Sequence, residues 1–164
     1  MNAKDAIKSA LTSTQSMLGM YLGDLSDADL LIRPVPGANH IAWQLGHLIN
    51  SERGMTISEI PSAVYPELPA GWADRHGKTT AAMDPPKGFG TKSEYLSFFN
   101  KIREATLATL AKLPDKELDK PTSGPMAKYA PTLGIMFLLH SNHTLMHAGQ
   151  FTVLRRKLGK PVLF

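Results

Sequence analysis

The stretch PTLGIMFLLHSNHTLMHAGQFTVLRRKL, residues 131–158, is the longest run of the sequence that is compatible with one helix. At about 100° per residue, His140, His143 and His147 fall within roughly 60° of one another on its surface. The same face carries the apolar residues Leu133, Met136, Phe151, Leu154 and Leu158. A buried polar group without a partner costs about 1–3 kcal/mol, so these imidazoles require hydrogen-bond partners or a metal ion. We therefore expect any chemical site to lie on this helix.

Composition limits the class of protein. The chain has 164 residues, of which 43% are hydrophobic, and this predicts a single domain over residues 1–164. The positive charges behind the net charge of +4 are scattered along the chain. The basic run at 155–157 is too short to indicate a nucleic-acid-binding surface. The lack of an apolar span and of a signal-peptide core predicts a cytoplasmic protein without membrane contact. Because the chain has no cysteine, nitrogen and oxygen must hold any metal.

Helical periodicity elsewhere predicts three further helices. The four predicted helices run from Asn2 to near Gly23, from Asn39 to Ile60, from Thr91 to Pro114 and from Pro131 to Leu158. Asn2 and Asn39 are predicted N-caps, and Thr91 with Glu94 forms a capping-box pattern. Pro131 suits the first turn of the histidine helix. No strand pattern or internal repeat competes, so the sequence predicts an all-α four-helix bundle.

Long connections follow the first three helices, and they favour a helix order other than simple up and down. Residues 61–90 contain five prolines and four glycines, which predicts a long loop without a helix of its own. Tyr65, Trp72 and Phe89 in this loop could line an opening or hold the loop against the bundle. The second of these interpretations is slightly favoured.

The histidine spacing is compatible with metal binding. His143 and His147 are one turn apart, so both imidazoles can reach one ion. A metalloprotease motif is absent, because Thr144 occupies the position of its glutamate. A third ligand is needed, and the candidates are His47, His140, His40 and Glu52, with His76 less convincing because it lies in the loop. Spacing alone favours a solvent-facing His47, since it lies off the main apolar stripe of its helix.

Two segments carry a resemblance to a known family. WQLGHLINSERGM at 43–55 and HTLMHAGQFTVLRRKLGKP at 143–161 resemble the two signature segments of the DinB-like (YfiT-like) metalloenzyme superfamily. The resemblance implies a four-helix bundle of unusual helix order and a divalent metal bound by three histidines. On matching positions these are His47, His143 and His147. Many relatives carry glutamate where this chain has Thr144, and His140 is an additional histidine that is expected to support the ligands or to be simply buried.

Three imidazoles leave positions open for water or substrate, a pattern typical of catalytic metal sites. Both Zn²⁺ and Ni²⁺ suit imidazole ligands. The resemblance implies an activity of one of the kinds found in the superfamily, which include thiol-cofactor-dependent transferases and isomerases as well as hydrolases. Our leading hypothesis is a transferase that activates a low-molecular-weight thiol towards a small-molecule substrate. The alternatives are a metal-dependent hydrolase and a non-catalytic, metal-stabilised stress-response module. The apolar end Val162, Leu163 and Phe164 could form a homodimer contact or fold back on the bundle.

Overall fold

Four long helices form the body of the protein in a computed structural model that describes residues 1–163. The helices are α1 (Ala3–Leu22), α2 (Ile41–Glu59), α3 (Trp72–Arg75), α4 (Lys78–Ala81), α5 (Lys92–Lys112) and α6 (Leu133–Lys157). Among the α-helices of the described residues, α3 and α4 are the short ones, and both lie between α2 and α5. The described residues contain no β-strand, and the one isolated bridge joins Pro121 to Thr132. The all-α prediction is therefore confirmed.

Two helices begin with the capping boxes that the sequence predicts. Asn2 Oδ1 accepts a hydrogen bond from the backbone nitrogen of Asp5 at 2.8 Å, and the Asp5 carboxylate accepts one from the Asn2 backbone at 3.2 Å. Thr91 and Glu94 form the same reciprocal pair at the start of α5. Each pair satisfies two backbone donors that have no partner within the helix.

The predicted start of α2 is wrong. The N-cap is His40 and not Asn39, because the ring Nδ1 of His40 accepts a hydrogen bond from the Trp43 backbone nitrogen at 3.2 Å. The Asn39 carbonyl instead accepts a hydrogen bond from Gln44 Nε2. A buried imidazole nitrogen thus takes the place of the short polar side chain that usually caps a helix.

The predicted start of α6 is also displaced. Pro131 precedes the helix, and Thr132 is its N-cap with a side chain that accepts from the Ile135 backbone nitrogen at 3.4 Å. The helix therefore begins at Leu133, two residues later than expected. Threonine supplies the acceptor that proline lacks, so the cap lies one residue beyond the proline.

The helices pack in an order other than simple up and down. Both α1 and α2 pack against α5 and α6, so α1 and α2 lie diagonally across the bundle. Helices α2 and α6 are antiparallel neighbours, since Gln44 contacts His147 and Thr56 contacts His140. This pairing places the N-terminal half of α2 opposite the middle of α6 and sets the position of the site.

Residues 61–90 are more structured than the sequence indicates. The expectation that they lack a helix is wrong, because α3 and α4 both lie within them. Tyr65 and Trp72 are buried in the core, and Trp72 Nε1 donates to the Gly46 carbonyl at 3.1 Å. Phe89 packs against the same core cluster. The interpretation that these aromatic residues hold the segment against the bundle is confirmed.

None of the described helices is long and apolar enough to cross a membrane. At the C-terminus, Val162 and Leu163 are exposed, and Phe164 lies outside the described residues. The homodimer contact through this end therefore stays a prediction.

Candidate metal centre

Three histidines meet in the groove between α2 and α6. His47 projects from α2 and His143 and His147 project from α6, and one ring nitrogen of each lies within 4.8 Å of the others. The two Nε2 atoms of His143 and His147 are 3.1 Å apart. Two nitrogens bound tetrahedrally to one zinc ion lie roughly 3.3 Å apart. The spacing of this pair therefore fits coordination of a single ion.

The protonation of His147 is fixed by its neighbour Gln44. The Gln44 Nε2 donates to the Asn39 carbonyl at 2.7 Å, so the amide oxygen faces the histidine. This oxygen lies 2.6 Å from His147 Nδ1 and can only accept, so Nδ1 carries the proton. The lone pair of the neutral ring is then on Nε2, which faces His143. A ring orientation of this kind is typical of metal-ligating histidines.

His47 is held by an aromatic stack. Its ring lies parallel to that of Trp43, with centroids 5.0 Å apart and an interplanar angle of 9°. The Trp43 Nε1 donates in turn to the Gly77 carbonyl at 3.0 Å, which ties the stack to the segment between α2 and α5. His47 is half-buried and faces His143 at a centroid distance of 5.1 Å. The interpretation of His47 as a solvent-facing residue, made from spacing alone, is therefore wrong.

All three imidazoles are neutral near pH 7. Burial, together with the neighbouring imidazoles, lowers the pKa of His143 to about 4 and that of His147 to about 3. Burial also lowers the pKa of His47. A metal-ligating histidine must be unprotonated at the coordinating nitrogen, so these rings need not lose a proton to bind an ion.

Glu52, a candidate third ligand, is bonded to Arg103 and Thr106 instead. Its carboxylate accepts hydrogen bonds from Arg103 Nε at 3.0 Å and from Arg103 Nη2 at 2.9 Å. Thr106 Oγ1 donates to the same carboxylate at 2.6 Å. Both charged side chains are buried, so each needs the other as a partner. We therefore assign Glu52 a structural role.

His140 lies next to the site but outside the three-histidine group. The Thr56 hydroxyl donates to the Glu52 carbonyl, so His140 Nε2 donates to that hydroxyl at 3.0 Å. Among residues 1–163, His140 Nδ1 has no hydrogen-bond partner. His140 is therefore buried as expected, and its ring is held by a threonine hydroxyl.

The other two candidates, His40 and His76, have structural partners. His40 caps α2. His76 is buried, its Nδ1 donates to the Trp72 carbonyl at 2.8 Å, and its Nε2 accepts from the Tyr95 hydroxyl at 2.8 Å. Neither residue belongs to the three-histidine group.

Sequence reasoning missed Arg103 and the role of Thr144. Arg103 Nη2 donates to Thr144 Oγ1 at 2.9 Å, and this hydroxyl donates to the His140 carbonyl at 2.9 Å. Thr144 thus links the buried ion pair to the turn that carries His143 and His147. The signal for Arg103 was available, since it lies four residues after Phe99 on the apolar face of its helix.

Comparison with known proteins identifies the family of this chain. The sequence model of the DinB superfamily matches residues 10–151, which is most of the chain. The chain belongs to the DinB superfamily. Among curated proteins, no sequence matches this DinB-superfamily chain significantly.

Two solved structures share the fold of this DinB-superfamily protein. A conserved protein from Enterococcus faecalis has a TM-score of 0.72 and 15% identity, over 98% of this chain and 99% of that one. YfiT from Bacillus subtilis, described as a probable metal-dependent hydrolase with an unusual four-helix bundle topology, has a TM-score of 0.67 and 20% identity, over 96% and 89% of the chains. The predicted DinB/YfiT-like four-helix bundle is confirmed.

Proposed function

We propose that this DinB-superfamily protein is a metal-dependent enzyme whose divalent ion is bound by His47, His143 and His147. The proposal is carried by the convergence of three neutral imidazole nitrogens within 4.8 Å. His47 and His143 are only partly buried, so an ion here would keep positions open to solvent and substrate. Imidazole ligands suit Zn²⁺ and Ni²⁺.

The chain's own residues prepare this chemistry. A divalent ion held by these imidazoles would supply a Lewis acid and so favour ionisation of a thiol or water. Gln44 keeps the proton of His147 on Nδ1, so Nε2 is available as a ligand. Trp43 covers one face of the His47 ring and restricts its rotation. Contacts within the protein therefore set the orientation of both rings.

A thiol is the nucleophile that these surroundings favour. Activating water for hydrolysis commonly involves a general base beside the metal, and a carboxylate often serves. Here the three-histidine group contains no carboxylate, Glu52 is bonded to Arg103, and Thr144 faces the same arginine. A thiol, with a free pKa of about 8.5, needs less assistance than water to ionise. We infer a transferase that joins a low-molecular-weight thiol to a small electrophilic substrate.

Metal-dependent hydrolysis is the second candidate. It is supported by the shared fold with YfiT, which is described as a probable metal-dependent hydrolase. The two candidates differ in one requirement, because only the transferase consumes an added thiol.

A thiol-dependence assay separates these functions. Zinc- and nickel-loaded protein is incubated with a panel of electrophiles and esters, with and without glutathione or cysteine. We expect metal-dependent thiol consumption that is lost in His143→Ala. Turnover without thiol would assign hydrolysis instead. Absence of turnover, together with a lower melting temperature after chelation, would identify a metal-stabilised, non-catalytic module.

A further inference from the structure

An apolar cavity of about 270 Å³ lies between the C-terminal half of α2, the start of α6 and the segment 122–130. Three methionines contribute flexible thioether side chains to its wall, namely Met55, Met126 and Met136. Methionine-rich surfaces adapt to apolar ligands of varied shape. None of the lining residues is a lysine or arginine, so the cavity does not favour an anion.

The cavity lies along the same faces of α2 and α6 that carry His47 and His143. Along α2, Gly54 and Ser58 line the cavity and lie within about 20° of the helix face that carries His47. Along α6, Met136 lies within about 20° of the face of His143, two turns and about 10 Å earlier. Because α2 and α6 are antiparallel, both faces extend in the same direction from the site.

Gly54 lines the cavity on the α2 side. A Cβ added at Gly54 would meet no atom within 4 Å, so no close packing requires glycine here. Its φ angle is not positive, so the backbone conformation does not require glycine either. Glycine in the middle of a helix is disfavoured relative to alanine. A larger side chain at Gly54 would therefore take up space beside the cavity, on the face of α2 between His47 and Ser58.

The segment 122–130, which covers the cavity, is hydrogen-bonded to α2. Glu59 Oε1 accepts a hydrogen bond from the Gly124 backbone nitrogen at 2.6 Å, and Oε2 accepts one from the Ser123 backbone nitrogen at 3.0 Å. These bonds occupy the carboxylate and hold the segment 122–130 over the cavity. The protein's own hydrogen bonds therefore hold the cavity in shape, as is usual for small-molecule sites.

We propose that the cavity binds an alkyl or aryl group of the molecule on which the histidine site acts, an inference that rests on the function proposed above. A cavity of 150 Å³ holds benzene, so about 270 Å³ accommodates an apolar group of roughly ten non-hydrogen atoms. The reacting group of such a substrate lies about 10 Å from the apolar group, at the other end of the groove.

The first experiment tests the cavity without metal. Metal-free protein carrying ¹³C-methyl methionine is titrated with 1-heptanol and followed by NMR. We expect shifts of the Met55, Met126 and Met136 methyl signals, which Gly54→Leu weakens. Gly19→Leu is the matched control, since a Cβ at Gly19 also meets no atom within 4 Å and lies outside the cavity. Unchanged methionine signals would overturn the proposal and leave the metal site standing.

The second experiment tests the connection to the histidines. Zinc-loaded protein is titrated with acetohydroxamate and decanohydroxamate, which share one metal-binding head. Each buried methylene adds about fourfold in affinity, so we expect decanohydroxamate to bind at least about 50-fold more tightly. Gly54→Leu should remove this advantage and Gly19→Leu should keep it. Equal affinities, or an advantage that survives Gly54→Leu, would overturn the proposal. Failure to bind zinc at all would instead refute the proposed metal-dependent function, while the heptanol result still decides the cavity.

Discussion

The side-chain oxygen of Gln44 lies 2.6 Å from Nδ1 of His147, and this contact determines which nitrogen of the ring faces His143. The Asn39 carbonyl accepts a hydrogen bond from the Gln44 amide nitrogen, and this bond fixes the orientation of the amide. The backbone just before α2 therefore determines, through Gln44, how the His147 ring on α6 is oriented. Gln44 therefore links the fold to the chemistry of the candidate site.

Loss of this contact should weaken metal binding. In Gln44→Ala, His147 can turn or change tautomer, and we expect zinc affinity to fall about 10- to 100-fold, the usual effect of removing a partner of a ligating histidine. Gln44→Glu keeps an acceptor for Nδ1 but loses the donor to the Asn39 carbonyl, so its affinity should lie between that of Gln44→Ala and that of the wild type. Competition with a chromophoric chelator measures both constants, and an unchanged dissociation constant in Gln44→Ala would show that the contact is dispensable.

Breaking the buried pair of Arg103 and Glu52 should lower the free energy of unfolding strongly. Arg103→Met leaves the Glu52 carboxylate buried without its partner, so we expect a loss of about 3–5 kcal/mol in the free energy of unfolding. Urea denaturation measures this change. The control is Arg53→Ala, which removes a 3.5 Å pair with the exposed Glu67 and a hydrogen bond to the Pro66 carbonyl, and it should cost about 1 kcal/mol. Similar losses in the two variants would contradict the assignment.

Two glycines of α2 should respond oppositely to alanine. A Cβ at Gly46 would lie 2.0 Å from Cδ2 of His76, so Gly46→Ala must displace a buried ring that is bonded to Trp72 and Tyr95. We expect Gly46→Ala to lower the melting temperature. Gly54→Ala meets no atom and should raise stability by up to about 1 kcal/mol. Thermal unfolding followed by circular dichroism compares them, and equal shifts would argue against the close contact at Gly46.

Acidification should destabilise the metal-free protein before its carboxylates titrate. Burial lowers the pKa of His40, His76 and His140 to about 4, whereas each has a pKa of about 6.5 when unfolded. Between these values the unfolded chain binds more protons than the folded chain, so the free energy of unfolding falls as the pH falls from about 6.5 to 4. Urea midpoints at pH 7.5, 5.5 and 4.5 measure the trend. A constant midpoint over this range would contradict the neutral, buried state of these rings.

Local signals in the sequence predicted much of the fold. The capping boxes at Asn2 and Thr91 are contacts between residues three positions apart, so a short stretch of sequence contains both partners. The starts of α2 and α6 were misplaced because His40 and Thr132 cap them, in competition with better-known signals at Asn39 and Pro131. Helices α3 and α4 were missed because four-residue helices carry no periodicity of their own.

The candidate site also depends on contacts between residues that are far apart in the sequence, which helical periodicity does not predict. The one-turn spacing of His143 and His147 was visible in the sequence, whereas periodicity placed His47 on a solvent-facing surface. His47 faces α6 only because α2 and α6 are neighbours, a fact of the tertiary arrangement that came through the family resemblance and not through spacing. The contacts of Arg103 with Glu52 and Thr144 also join distant helices, so single-helix periodicity could flag the arginine but not name its partners.

Metal content tests the central claim most directly. Protein purified without a histidine tag, dialysed against excess zinc and then desalted, is analysed by inductively coupled plasma mass spectrometry. We expect one zinc ion per chain in the wild type and in His140→Gln, and loss of most of it in His47→Ala and in His143→Ala. Full zinc occupancy in His47→Ala and His143→Ala, or a wild type that retains no metal, would contradict the assignment of the three-histidine site.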